Sequence, residues 1–376
     1  MKKNNSFVLI FTLTILSLTT IITYQLMKLV YVGTHFDQAM VDRENAEMLA
    51  LGGINLAMSK LLIKSPFAKA SGDKDEAEKK KQEKKEFENF LKHTLPNINR
   101  WQEFDLKEEI DGIDGQVKIC ISCENSKINI NESFDFKKNE FKEEYKKFLN
   151  TIKFKSGDQT SSKFLKKLTD FLKKRGKKLD DLSELQTGAL TEIQQFFYNP
   201  PIRTEKKKDA KPNQSLAIQD IFTIWSKTNK IEALFLSDSM CAILGLRRPT
   251  SYDSEILKEK FKNVIKNFDQ GKDENTEEYW KIVRPIYEGK TKFKIEDKKI
   301  FSLRFEPKVY SVISFGKVGN VEQRLLAIIE KNPNYDKAST DKTAGKEKEN
   351  EDKEKGSTSS TIEDTKPFKI LRLYWI

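Results

Sequence analysis

Between residues 4 and 27 the chain carries no charged side chain, and from Phe7 onward the run is dominated by Phe, Leu, Ile, Val and Thr. A helix of roughly 20 apolar residues crosses the hydrocarbon core of a bilayer. The hydroxyls of Thr12, Thr14, Ser17, Thr19, Thr20 and Thr23 suit such a helix, because each can donate to a carbonyl one turn back. Lys2 and Lys3 precede the run, and basic residues beside a span stay on the cytoplasmic side. The sequence therefore predicts one membrane-crossing helix, with its N-terminus cytoplasmic and everything after Lys28 outside the cytoplasm.

The helical pattern does not stop at the membrane. Residues 37–63 contain no proline, and Ala46, Leu49, Ala50, Gly53, Ile54, Ala57 and Leu61 fall at the spacing of one helix face. Gly52 and Gly53 cost helix stability but let a second backbone come close. The expectation is a single long helix, half in lipid and half packed on a soluble domain. A cleaved secretory signal peptide is the competing reading. It needs small residues after its apolar core, whereas Tyr24, Gln25, Leu26, Met27, Lys28 and Leu29 are bulky.

The rest of the chain is long enough for a real core. The whole chain has a formal charge of +11, from 68 Lys and Arg against 57 Asp and Glu. Lysine supplies nearly all the positive charge and is interleaved with glutamate. Nucleic-acid binding gathers basic residues, arginine above all, on one face, so this composition reads as a solvated lysine-rich surface. Cys120 and Cys123 have CxxC spacing but lie in a strand-like run, where positions three apart point to opposite faces. A metal site would need a second pair or nearby histidines. The only histidines are His35 and His93, neither in such a cluster.

Residues 65–85 read as a charged insert, flexible or partly helical, with a short helix expected over 86–95. Residues 101–109 and 117–123 alternate around the Asp-Gly signals at Asp111-Gly112 and Asp114-Gly115, which predicts a hairpin. The paired aspartates lack the spacing and closing glutamate of a calcium-binding EF-hand loop. From 134 to 199 the pattern reads as helical: Phe141, Tyr145, Phe148 and Leu149 share one face, and Phe164, Leu165, Leu168, Phe171 and Leu172 another. Leu182, Leu185, Leu190, Ile193, Phe196 and Phe197 mark a third region. These could be basic helices lying on a membrane, but aromatics at helical spacing favour a packed core. Residues 203–213 read as a charged linker. Further helices are expected over 216–227, 231–246 and 254–268, with a short one at 279–287. Strands follow over 293–306, 309–315 and 321–331, with a turn at 316–320. A polar run then leads to an apolar segment at 368–376, predicted to pair with 321–330. Loop-closure entropy grows slowly with length, so the long intervening loop is tolerable.

In three places these residues resemble a family. The short basic leader ending in Ser6, then Phe7 and an apolar helix, is similar to type IV prepilins and pseudopilins. Arg43-Glu44-Asn45-Ala46 and the small-residue run from Ala50 to Ala57 resemble the K-type minor pseudopilins of type II secretion. So does the segment at 124–131, with its acidic residue, turn, Lys127, and Asn129 and Asn131 alternating with Ile128 and Ile130. The strands at 305–330 and the ending Leu373-Tyr374-Trp375 resemble the family's last sheet. The resemblance implies cleavage by the prepilin peptidase between Ser6 and Phe7, although glycine is usual where Ser6 stands. It also places Phe11 where most members carry glutamate, and the K type is the one that lacks it. In other subunits that carboxylate offsets a neighbour's amino terminus, and a charge left unpaired in lipid is costly. A chain without it suits the filament tip, with the I- and J-type minor pseudopilins and the major pseudopilin as partners. The family leaves room for bound calcium, for which this sequence names no ligands, and it implies no other cofactor. The two asparagines can bond backbone where a strand leaves a sheet, a structural role.

On this reading the chain divides into a leader (1–6), a long transmembrane and amphipathic helix (7–64), the charged insert (65–85), the first part of a sheet domain (86–133), an inserted helical domain (134–290), C-terminal strands (291–332), a disordered polar loop (333–367) and a closing strand (368–376). The expected fold class is α+β: a pseudopilin-like long helix on an antiparallel sheet with a large helical insertion. The expected function is a structural subunit of protein secretion in the inner membrane, with its body in the periplasm. A second reading is a single-pass, signal-anchored scaffold or adhesin with no secretion role. An enzyme would need a nucleophile beside a base or carboxylates in a cleft. The sequence holds no G-x-S-x-G, HExxH or phosphate-binding loop, and no enzyme is expected.

Overall fold

A computed structural model describes residues 4–62, 95–151, 161–188, 216–249, 255–268, 280, 283–288, 300–302, 308–332 and 366–376. Outside these lie the charged insert at 65–85, the helix expected before Leu95, the apolar run at 190–197, the linker at 203–213, most of the strand expected at 293–306, and 333–365 of the polar run.

The chain is α+β. One helix, α1 (Asn4–Leu61), runs unbroken for 58 residues, about 87 Å at 1.5 Å per residue. The strands in chain order are β1 (Trp101–Leu106), β2 (Gly115–Cys123), β3 (Ile128–Asn129), β4 (Phe134–Asp135), β5 (Glu140–Phe141), β6 (Phe222–Thr223), β7 (Val309–Val318), β8 (Val321–Lys331) and β9 (Phe368–Trp375). Five of them form an antiparallel sheet in the order β1-β2-β7-β8-β9. The closing strand pairs with β8, as expected of an apolar segment returning after the polar run.

The expected hairpin is β1–β2. Its connection is one helical turn, Glu108–Asp111, ended by Gly112 in the left-handed region at φ 74°. The two aspartates serve that turn. Asp111 Oδ2 accepts from Lys107 N and Asp114 Oδ1 from Glu108 N, each at 2.9 Å.

α1 lies along β7, between β2 and β8. Asp42 stands beside Gly319 in the β7–β8 turn, and Gly53 lies over Ser314. The turn is therefore the end of the sheet nearest the bare half of the helix. Everything between β2 and β7 leaves from Cys123 and returns at Lys308, at the opposite end.

That insertion holds helices Glu143–Thr151, Ser161–Arg175, Ser183–Gly188, Asp238–Leu244 and Glu255–Phe268. Tyr145, Phe148, Leu149, Phe164, Leu168, Leu172 and Leu185 are buried in one apolar core with the helix-side face of the sheet.

Several expected helices are shorter or absent. Residues 134–141 form the β4–β5 hairpin, because Asp135 Oδ1 takes the Lys137 and Lys138 amides and Asn139 sits at φ 58°. Such side-chain capture competes with a helix. Of 216–227, only Ile218–Ile221 is helical. Phe222-Thr223 instead pairs in parallel with Ile128-Asn129. The run 231–246 is broken into a 3-10 turn, Ala233–Phe235, and the helix Asp238–Leu244. Ser237 Oγ caps that helix from Met240 N at 3.1 Å, and Gly245 ends it at φ 71°. The turn expected at 316–320 is tighter, since Gly316 to Val318 stay in β7.

Candidate functional site

Among the described residues, nothing covers the first two thirds of α1. From Leu9 to Val41 every large apolar side chain is exposed, including Leu13, Leu16, Ile22, Leu29 and Phe36. This segment is long and apolar enough to cross a membrane. Its threonine hydroxyls are turned inward on the helix. Thr12 Oγ1 donates to Leu9 O at 3.0 Å, Thr20 Oγ1 to Leu16 O at 2.7 Å and Thr23 Oγ1 to Thr19 O at 2.8 Å. A hydroxyl satisfied this way crosses lipid without an unpaired donor. Ser6 and Phe7 stand in helical backbone near its start, and Phe11 is on its exposed surface.

The remaining third is built for contact with the sheet. Ala46, Ala50, Gly53, Ile54, Ala57 and Leu61 are buried along one stripe. A Cβ on Gly53 would strike Ser314 Oγ, with Ile119 and Val117 at 3.0 Å. One on Gly316 would strike Ala46 O and lie 2.6 Å from Ala50 N. Two backbones thus approach where no side chain fits between them. Gly52 takes no part: it faces open space, because one residue further round the helix is a 100° turn. The result is one rod whose lower part can sit in lipid and whose upper part is fixed to a sheet.

The second segment marked by sequence, 124–131, ties that sheet to the insertion. Lys127 Nζ pairs with Glu124, both buried, and reaches Ser311 Oγ in β7 at 3.3 Å. Glu124 also accepts from Thr223 Oγ1 in β6. Asn125 Oδ1 accepts from Lys308 N and Val309 N at 3.0 Å, where the chain re-enters the sheet. Asn129 donates to Ser226 O and accepts from Glu132 N at 3.2 Å. Asn131 exchanges two bonds with the Leu179 backbone, at 2.9 and 2.7 Å. Burial pushes the Asp220 carboxyl up, against the opposing pull of Lys127 and the Ser239 amide. Sequence reasoning singled out Lys127, Asn129 and Asn131 through the family resemblance of this segment. It missed Thr223, Ser226, Ser239 and Ser311, which carry no local pattern.

Cys120, Cys123 and Cys241 are free, buried thiols. Burial pushes Cys120 up to about 12 and raises the other two as well. His35 lies on the exposed helix with its ring against Tyr31, 4.2 Å between centroids. His93 lies outside the described residues. Among the described residues no three His, Cys, Asp or Glu side chains are grouped to hold a metal ion. No protein-family model matches the chain, and no curated protein is similar to it.

Proposed function

We propose that the chain is a structural minor pseudopilin of the K type, seated at the tip of a type II secretion pseudopilus and taking part in protein export across the outer membrane. One observation carries the reading. A single unbroken helix is bare for its first two thirds and jammed against an antiparallel sheet for the rest. A force that lifts the rod out of lipid is transmitted directly to the body, which is what a filament subunit requires. The large insertion leaves the sheet at the end away from the bare helix, where it would stop another subunit from stacking above. Phe11, uncharged, offers no carboxylate to a neighbour's amino terminus.

On this reading the chain is a part and not a catalyst. It lies in the inner membrane with its N-terminus cytoplasmic and its body periplasmic. The prepilin peptidase cuts between Ser6 and Phe7, and the partners are the I- and J-type minor pseudopilins and the major pseudopilin. The resemblance at Lys127, Asn129 and Asn131 supports this, and their bonds give them the work of fixing the insertion. The test is gentle crosslinking in the native membrane followed by recovery of the full chain. Other small pseudopilins are expected in the complex. Their absence overturns the tip assignment and favours a lone anchored scaffold.

A further inference from the structure

Charges that are interleaved along the sequence are sorted by the fold. Among the described residues of 137–178, ten lysines are exposed, against three exposed acids, Glu140, Glu143 and Asp170. These residues belong to the insertion, at the end of the sheet away from the bare helix. At the other end the proportions reverse. Residues 103–114 expose six carboxylates and one lysine, Lys107. Leu106 is opposite Gly115 and Gln116 opposite Lys317, so this connection lies beside the β7–β8 turn. A chain that was lysine-rich by composition alone would not be acidic at one end and basic at the other. We infer that the basic face of the insertion is a docking surface for the anionic headgroups of a bilayer, other than the bilayer that α1 occupies.

The face is carried by two helices. Tyr145, Phe148 and Leu149 of Glu143–Thr151 are buried in the core, as are Phe164, Leu165, Leu168 and Leu172 of Ser161–Arg175. Lys146 and Lys147 on the first helix, and Lys166, Lys173 and Lys174 on the second, are left outside. The ion pairs nearby are made by Arg175, Lys177 and Lys178. Among the described residues, no carboxylate forms an ion pair with any of these five lysines.

The composition of the face selects the partner. Protein interfaces are depleted in lysine and are anchored by aromatic or other apolar side chains in pockets. No large apolar side chain is exposed among the described residues of 137–178. Arginine makes the planar, paired contacts of specific phosphate and carboxylate sites, whereas lysine is a hydrated point charge on a flexible stem. The one arginine here, Arg175, is held by Asp180 and Glu184. Single-stranded nucleic acid would need exposed aromatics for its bases to stack on. What remains is a partner that is negative, flat and chemically diffuse. A leaflet of anionic lipid is of that kind, and clusters of about four to eight basic residues bind it. The apolar sides of both helices are committed to the core, so the contact is adsorption without insertion.

The length of the rod decides which bilayer. Residues 4–27 fill the roughly 30 Å hydrocarbon core. From Lys28 to Leu61, which lies in the same core as Tyr145 and Leu168, α1 runs about 50 Å further. Attraction to a charged leaflet fades within a Debye length, about 8 Å at physiological salt. With the rod upright, the lysines are out of range of the bilayer that holds α1. This requires α1 in lipid and does not require the secretion reading.

The test holds the full chain by α1 in nanodiscs of phosphatidylcholine and offers it separate vesicles. Vesicles containing phosphatidylglycerol are expected to carry the nanodiscs up a flotation gradient at low salt and to release them at high salt. Vesicles of phosphatidylcholine alone should not carry them. Lys166→Gln, Lys173→Gln and Lys174→Gln should each weaken capture about fivefold, and Lys107→Gln at the acidic end should change nothing. These side chains are exposed, so the thermal melts should match that of the parent. A variant that unfolds is replaced by Lys146→Gln or Lys147→Gln. No capture of the anionic vesicles, equal capture of the neutral ones, or capture untouched by the lysine variants overturns lipid as the partner. So does tighter binding to polyglutamate, which would mark an acidic protein, or to a polynucleotide.

Discussion

The sheet holds two neighbours by different physics. α1 is attached through alanine, glycine and aliphatic side chains, with backbone against backbone at Gly316 and charges only at the margins, Asp42 beside Gly319 and Lys60 over the Phe104 ring. The insertion is attached through a buried ion pair and a set of amides, from Glu124, Asn125, Lys127 and Asn129 to Thr223, Ser226, Ser311 and the returning chain at Lys308. The first contact tolerates no added volume, and its buried stripe holds no ionisable group. The second tolerates little loss of a partner, because a buried charge left alone costs far more than a lost methyl group. A rod that must transmit force is well served by a contact whose centre is close-packed and uncharged. A domain that must sit in one orientation is well served by directional bonds.

Lys127→Met should therefore give the largest effect. It strands the Glu124 carboxylate in the interior, at a cost of about 3–5 kcal/mol. Denaturant unfolding of the solubilised full chain measures it, and adding Glu124→Leu should recover most of the loss. A single change that costs almost nothing would erase the contrast between the two attachments. Next comes Gly316→Val, which pushes a branched side chain into Ala46 O and Ala50 N and should cost about 1–3 kcal/mol or more. Val at 316 without penalty would mean that the helix does not sit as closely as described.

A smaller effect belongs to the clasp within the insertion. Arg175 bonds Glu184 at 2.6 and 2.8 Å and holds its carboxyl below the usual glutamate range, against partial burial. A depressed carboxyl stabilises the fold above its unfolded value and loses that contribution as pH falls through the folded one. Glu184→Gln should thus lower the melting temperature by about 2–4 °C near neutrality, with the gap closing toward pH 3. The α1–sheet contact should show no such dependence. The smallest expected change is Gly52→Ala, on the open side of α1, which should stabilise by up to about 1 kcal/mol.

The same contrast explains what could be read from the chain. α1 was legible because its signals are local: a charge-free run, then small residues at helical spacing. β7 and β8 were legible as strand-like runs around a turn, and β9 as an apolar segment after a polar run. The insertion was not, since its elements are set by partners far away in sequence. Phe222-Thr223 is a strand only because Ile128-Asn129 lies beside it. Ser237 breaks an apolar run by capping, and Asp135 with Asn139 turns an apparent helix into a hairpin. Lys127 could be noticed from sequence, but its partner Ser311 and the Thr223 that shares Glu124 could not.

The account turns on whether the rod is a cleaved, movable subunit or a fixed anchor. Intact-mass and peptide mass spectrometry of the chain isolated from its native membrane decides this at one bond. The account predicts a protein that begins at N-methylated Phe7, with residues 1–6 removed on the cytoplasmic side. A chain that retains Met1 through Ser6 contradicts it.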